Sequence, residues 1–443
     1  MKVSIIGTGY VGLVTGVGLA SVGHSVTCFD VRESVVLSLT AGIPPIFEEG
    51  LDGLLARLLE SGSISFSLPD SDRLAEADII MIAVGTPSKD GDIDLNQIRN
   101  AAELAGCAVK TADHPIAIIV KSTVVPGTTS GLVLEAVAAA SGADRASFGI
   151  GMNPEFLREG SALVDFTTPD RIIIGFEDDL ARDKLRELYA NFLCPKLEVN
   201  TQTAELTKYA NNMYLALQIS AANEIANVAA RIGGIDPLDV VEGVLSDHRW
   251  SGGRGAAGAH PIAKYLIPGP GFGGSCFPKD VEAFREFGKT LDLPMRMSSA
   301  ILEVNGAQPE FSLDSMTDGL PSLDGQRVLV LGLSFKPQTD DVRETPALGM
   351  IRALRAAGAI VLAHDPLAMS AYAGIDGGEM EFVLDWSAVV PIVAAVLVVT
   401  PWVAYEGIAG LLTSGQVLLD PRRSVDPAGL AADVVYRSIG VKQ

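Results

Sequence analysis

The residues best suited to covalent chemistry cluster around one cysteine set in glycine. The segment Gly269-Pro270-Gly271-Phe272-Gly273-Gly274-Ser275-Cys276-Phe277-Pro278-Lys279-Asp280 carries four glycines in six residues, freeing its backbone to pack against a ligand. Pro278 suits the first turn of a helix, which places Cys276 at that helix's N-terminus, where the dipole favours thiolate and so nucleophilicity. Asp280, four residues on, shares its face. A cysteine that only fills a core needs no glycine loop, and that plainer reading fits Cys28, Cys107 and Cys194.

Two further polar groupings stand out. Lys208 and Asn212 are four apart in a helical stretch and so share a face, either as a functional pair or as a solvated patch. Asn153-Pro154-Glu155 reads as a helix cap, an N1 proline and a first-turn acid, with Glu155 and Glu159 then on one face. First-turn acids often do no more than complement the helix dipole.

Gly7-Thr8-Gly9-Tyr10-Val11-Gly12 follows the first strand-like run and opens the first helical one. In that setting Gly7 allows the tight turn, Gly9 lets backbone approach a pyrophosphate, and Gly12 lets helix pack on strand. Asp30 ends the second strand, where a carboxylate accepts bonds from ribose hydroxyls and repels a 2′-phosphate, favouring NAD over NADP; Arg32 nearby weighs the other way. Val84-Gly85-Thr86-Pro87 and Ser122-Thr123-Val124-Val125-Pro126-Gly127-Thr128 leave the carboxyl ends of later strands, the edge where open α/β sheets bind ligands.

The elements that must hold these residues follow from pattern. Val3–Ile6, Ser25–Phe29, Ile79–Val84 and Ile116–Val120 are β-branched runs alternating with helical stretches Tyr10–Val22 and Asn96–Ala108, the signature of a doubly wound parallel sheet. From Thr203 to Ile232 only helix formers appear, apolar around most of the circumference. Such a helix, about 45 Å long, is expected to be buried, against a copy of itself if not within the chain. A second α/β rhythm starts at Arg327, with strands at Val328–Leu331, Ile360–His364 and Val393–Val399 and a helix at Thr345–Ala357; Pro309–Asp324 reads as the linker before it. The expected fold is α/β: two Rossmann-like doubly wound parallel-sheet domains (1–200 and 309–443) joined by a central helical region, 201–308, with one long helix. The turn of the second fold, Gly332-Leu333-Ser334-Phe335-Lys336-Pro337, lacks the other two fingerprint glycines. It is expected to hold a nucleotide differently, with Lys336 as phosphate partner.

Composition removes other classes. The 443 residues are 48% hydrophobic and carry a net charge of -21, so the chain folds and lacks the basic footprint of a nucleic-acid binder. Four scattered cysteines without CxxC spacing argue against a disulfide scaffold or a metal site and for a cytoplasmic setting. The apolar start is broken at once by Gly7 and Gly9, unlike a signal peptide. Val389–Trp402 is too short to span a bilayer, so no membrane association is expected.

GTGYVG, VGTP, STVVPGT, NPEFLREG, ELTKYANN, GFGGSCFPKD and GLSFKPQTDDVRETP occur in the order that characterises the UDP-glucose/GDP-mannose dehydrogenase family, and from Met1 to about Arg423 the chain resembles it. The resemblance implies a homodimeric enzyme, built on the central helix, that oxidises the primary alcohol of a nucleotide sugar to a carboxylate with two NAD. UDP-glucose is the first expectation and dTDP-glucose or GDP-mannose the alternatives. It implies Cys276 as the nucleophile that traps the aldehyde, Lys208 and Asn212 as partners of the oxyanion, and Asp280 as support for Lys208 or for a water. Thr123 and Glu155 would position and activate the hydrolytic water. Tyr10, Val11, Gly85, Thr86, Pro87, Thr123, Glu159 and Arg343 would lie toward the cofactor. Glu155, Phe156, Leu157, Tyr265, Gly271, Phe272, Gly273, Phe335 and Lys336 would lie toward the substrate, with Arg422, preferred to Arg423, as the substrate arginine. The family arginine that reaches across the dimer corresponds to Arg249 or to Arg254.

Overall fold

The computed structural model describes residues 1–89, 91–251, 261–376 and 380–442. It divides into two compact units, Met1–Asn211 and Asn212–Gln443.

The first unit is built on eight strands: β1 (Lys2–Ile6), β2 (Ser25–Phe29), β3 (Ile64–Ser67), β4 (Ile79–Ile82), β5 (Ile116–Val120), β6 (Phe148–Met152), β7 (Ile172–Phe176) and β8 (Lys196–Val199). They lie in the order β8-β7-β6-β5-β4-β1-β2-β3, every pair parallel except the antiparallel β6–β7. The apolar runs are continuous because both faces are covered. Ile79 and Met81 enter one core with Leu13 and Val17 of helix α1 (Tyr10–Ser21), while Ile80 and Ile82 enter another with Ile98 and Ala105 of α2 (Asn96–Thr111). The chain moves from β1 outward through β2 and β3, then returns to the other side of β1 as β4. That reversal opens a crevice at the carboxyl ends of β1 and β4.

Helix α3 (Thr201–Ile232) spans the expected long helical segment and stops where Gly233 and Gly234 take φ of 77° and 70°. It is not buried all round. Tyr214 (63% exposed), Ile225, Val228 and Ile232 (68%) form an exposed apolar stripe, with the small Ala221 between Tyr214 and Ile225.

The second unit continues with α4 (Phe277–Thr290), α5 (Arg296–Thr317) and a seven-stranded sheet. Its strands are β9 (Arg327–Leu331), β10 (Ile360–His364), β11 (Glu381–Phe382), β12 (Ala395–Val398), β13 (Val417–Leu419), β14 (Val435–Ser438) and β15 (Val441–Lys442), ordered β11-β10-β9-β12-β13-β14-β15. All pairs are parallel except β14–β15.

Two local expectations are corrected. Pro309–Asp324 is not a linker: α5 runs through Pro309 to Thr317, because Leu313 and Met316 are buried in the core of the second sheet and outweigh one missing backbone donor. Asn153-Pro154-Glu155 starts no helix, since the next one begins at Ala162. The Asn153 side chain is committed elsewhere, accepting from Lys121 and Tyr189 and donating to the Ile173 carbonyl, so it cannot cap.

Candidate active site

In the first unit the fingerprint sits at the switch-point crevice. Gly7 has φ +101°, and a side chain there would lie 2.7 Å from the Ala83 carbonyl oxygen. Gly9 precedes α1 and faces open space, so backbone can approach a ligand where Tyr10, Val11 and Gly12 form the helix's first turn. Asp30 follows β2 and is buried. Its carboxylate accepts from the Thr8 backbone N–H (3.2 Å) and hydroxyl (2.6 Å), and from the Arg32 N–H (3.0 Å) and guanidinium (3.1 and 3.3 Å). Burial pushes its pKa up, but these bonds outweigh burial and hold it at about 2, so Asp30 is anionic. An open glycine at a helix N-terminus and a charged acid at the next strand end fit a dinucleotide's pyrophosphate and ribose.

The other two loops join this edge. Thr86 hydroxyl donates to the Thr123 carbonyl at 3.1 Å, and Ser122 hydroxyl to the Val84 carbonyl at 2.7 Å, tying Gly85-Thr86-Pro87 to the segment after β5. Tyr10 donates its phenol to buried Glu48, which also accepts from the backbone N–H of Gly160 (2.8 Å) and Ala162 (2.6 Å). That clamp fixes the segment just past Glu159 to the start of α1.

Glu155 lies in a cavity of about 220 Å³ with Lys121, Asn153, Phe156, Leu157 and Arg171. Its carboxylate meets the Lys208 ammonium at 2.8 Å and the Leu157 N–H at 2.6 Å. Burial alone would raise its pKa; the two nearby lysines, Lys208 foremost, reverse that and keep it below the usual carboxylate range. Phe156 carries the Arg171 guanidinium 3.8 Å from its ring centroid and the Lys208 ammonium at 5.4 Å.

In the second unit Cys276 is the N-cap of α4, its Sγ 3.6 Å from the Ser275 hydroxyl, and Asp280 stands in the first turn. Asn212 donates to Asp280 at 2.6 Å, and Lys279 approaches the other carboxylate oxygen at 2.8 Å. The glycine loop is pinned by amides from two helices. Asn223 of α3 accepts from Gly269 N–H; Gln308 of α5 donates to its carbonyl, and Asn305 of α5 bonds both backbone groups of Phe272. A side chain on Gly273 would collide with the Glu344 carbonyl oxygen at 2.1 Å, which only glycine avoids.

Tyr265, Gly271, Phe272, Gly273, Phe335 and Arg422 line one cavity of about 170 Å³ in this unit, together with Lys264 and Phe277. Arg422 Nε donates to the Val399 carbonyl at 2.9 Å, and burial pushes its guanidinium down to about 10. Lys336 is next to Phe335, its ammonium 5.4 Å from that ring's centroid. Arg343 pairs with Asp341 at 2.7 Å, while its carbonyl accepts from Gly274 N–H. Arg249, 87% exposed, pairs with Asp247 and is not among the residues lining this cavity; Arg254 lies outside the described residues. Asp365, which follows β10 as Asp30 follows β2, accepts from Leu333 and Ser334 N–H and from Trp402 Nε1, so it serves the turn itself.

Three models of one family match in sequence: the NAD binding domain over residues 1–193, the central domain over 202–307 and the UDP binding domain over 329–427. UDP-glucose 6-dehydrogenase TuaD of Bacillus subtilis is 37% identical over 99% of this chain and 93% of its own length. The chain belongs to the UDP-glucose/GDP-mannose dehydrogenase family. UDP-glucose 6-dehydrogenase AglM of Haloferax volcanii is 40% identical over 83% of this chain and 84% of its own. The UDP-glucose dehydrogenase structure from Pyrobaculum islandicum superposes with a TM-score of 0.89 at 42% identity, covering 99% of this chain and 97% of that one.

As a member of this dehydrogenase family the protein is an NAD-dependent oxidoreductase acting on nucleotide sugars. The crevice with Gly7, Gly9 and Asp30 falls in the NAD binding domain, and Phe335, Lys336 and Arg422 fall in the UDP binding domain. Sequence reasoning passed over the residues that hold this machinery: Glu48, Lys121, Glu205 (which caps Gly127 and Thr129), Asn223, Asn305 and Gln308. Glu205, Asn223, Asn305 and Gln308 leave only an acid and amides along helical stretches as a local trace, while Glu48 and Lys121 lie outside helices and leave none.

Proposed function

We propose that this protein oxidises UDP-glucose to UDP-glucuronate, with Cys276 as covalent nucleophile. NAD, when bound, accepts the hydrides. On the protein's side, Lys208 and Asn212, one turn apart on α3, stabilise the charge that develops on the sugar oxygen as its proton leaves. Asp280 orients Asn212. A second hydride can leave only from a tetrahedral carbon, so Cys276 Sγ adds to the aldehyde and forms a thiohemiacetal. Loss of that hydride gives a thioester. Water held by Thr123 attacks it, Glu155 takes the water's proton, and the acid leaves as the thiol is restored. One alcohol, one water and two NAD become one carboxylate, two NADH and three protons.

The observation that carries this reading is Cys276 at the N-cap of α4 with Asp280 locked one turn on, at the end of a loop pinned by three amides. Tyr265, Gly271, Phe272, Gly273, Phe335 and Arg422 shape the substrate cavity, Lys336 meets the diphosphate, and Phe156 and Leu157 flank the sugar beside Glu155. Gly7, Gly9, Tyr10, Val11, Gly12, Asp30, Gly85, Thr86, Pro87, Thr123, Glu159 and Arg343 serve the cofactor. The relatives named for UDP-glucose favour it over GDP-mannose.

The same proposal includes a homodimer. Tyr214, Ala221, Ile225, Val228 and Ile232 recur at the spacing of a coiled-coil seam, which a second copy of α3 would cover; Arg249 would then reach the partner's substrate. Three domains, 1–200, 201–308 and 309–443, and a cytoplasmic location complete it. No described helix is long and apolar enough to cross a membrane.

The test is NADH formed per UDP-glucose consumed with NAD in excess. A ratio of two with glucuronate as product is expected; a ratio of one, with aldehyde released, overturns the thiol route. Cys276→Ser should lower acid formation by at least about a thousandfold.

A further inference from the structure

Two lysines attend Glu155. Lys208 makes the ion pair at 2.8 Å; Lys121, just after β5 and 5% exposed, lines the same cavity. Lys121 Nζ donates to Asn153 Oδ1 at 2.8 Å. That oxygen also accepts from the Tyr189 hydroxyl at 2.6 Å, and the Asn153 amide nitrogen donates to the Ile173 carbonyl at 2.8 Å. The amide is therefore locked with its oxygen toward the ammonium. This anchor is neutral, and the charge that favours the ammonium is that of Glu155, with Lys208 opposing it. A buried cation with a neutral anchor destabilises a fold that a methionine would fill as well, so packing does not account for it.

We infer that Lys121 is a positioning residue that keeps Glu155 ionised whenever Lys208 leaves it for the substrate oxyanion. The inference rests on the proposed roles of Glu155 and Lys208. Without a counter-charge, burial drives a carboxylate to its protonated form, which cannot accept a proton from water. Lys208 cannot serve the oxyanion and Glu155 equally, whereas Lys121, held on Asn153, stays in place. Arg158, Asp165, Asp170 and Arg171 line the same cavity; Arg171 is committed to Phe156 and Asn211, and Arg158 to Asp165. Burial pushes the Lys121 ammonium down to about 8, with Glu155 partly restoring it, so it remains charged at neutral pH.

Two measurements test this. Infrared titration reads the Glu155 carboxyl band, identified by its loss in Glu155→Gln. Glu155 is expected to be ionised at neutral pH in Lys208→Met, protonated in Lys208→Met/Lys121→Met, and ionised again in Lys208→Met/Lys121→Arg. An identical state in the first two overturns the inference. In the otherwise native protein, single-turnover acid release by Lys121→Met should keep its alkaline plateau while its acid limb moves up by about one pH unit or more. A uniform loss at every pH is what a merely structural role gives, and it too overturns the inference. If the wild-type protein yields one NADH per sugar, the thiol route fails, and the infrared titration still decides Lys121.

Discussion

The Asn212 amide donates to the Asp280 carboxylate at 2.6 Å, both residues buried, joining α3 to the first turn of the helix that Cys276 caps. Asn212→Ala would remove that donor from a carboxylate that also pairs with Lys279. The expected cost is about 1–3 kcal/mol of unfolding free energy in urea, with Asp280→Asn costing less because an amide pair can still form.

Asp30 engages Thr8 and Arg32 through both carboxylate oxygens, and Arg32 is 61% exposed. Asp30→Ala removes the ribose acceptor and releases a guanidinium able to take a 2′-phosphate. Calorimetric titration should show NAD binding about tenfold weaker or worse, with NADP binding unchanged or tighter. Equal loss for both would place discrimination elsewhere.

Lys121 gives a stability signature with a definite sign. Its folded-state pKa of about 8 lies below the ordinary lysine value of 10.5, so the unfolded chain binds more protons between those values. Wild-type stability relative to Lys121→Met should therefore rise from pH 8 to 10.5, by at most about 3 kcal/mol, and be flat below pH 8. Glu155 acts in the opposite window. Its depressed pKa contributes stability above the ordinary carboxylate value, lost as pH falls through the folded one, so the advantage over Glu155→Gln should vanish in acid.

The exposed stripe on α3 predicts assembly. Light scattering at micromolar concentration should give a dimer mass for the wild-type protein and a monomer mass for Ile225→Lys/Val228→Lys, whose ammonium groups would face each other across the seam. A wild-type monomer would refute the pairing.

Much of this protein is written locally. The β-branched runs and glycine turns declare both mainly parallel sheets, because strands buried on two faces must be apolar throughout. The backbone geometry of GTGYVG and of the glycine loop before Cys276 is legible too, because close backbone approach and a helix N-terminus need particular residues at particular spacings. Other outcomes belong to the tertiary structure. Pro309 lies inside a helix because Leu313 and Met316 find a core, and Asn153 abandons the role of cap because Lys121 and Tyr189 claim its oxygen. Glu155 with Lys208, and Asn212 with Asp280, are contacts between distant segments that no periodicity records. A lysine at the end of a strand looks like solvent-facing charge in sequence. Only the packing around Lys121 turns it into a buried ammonium in the cavity that holds Glu155.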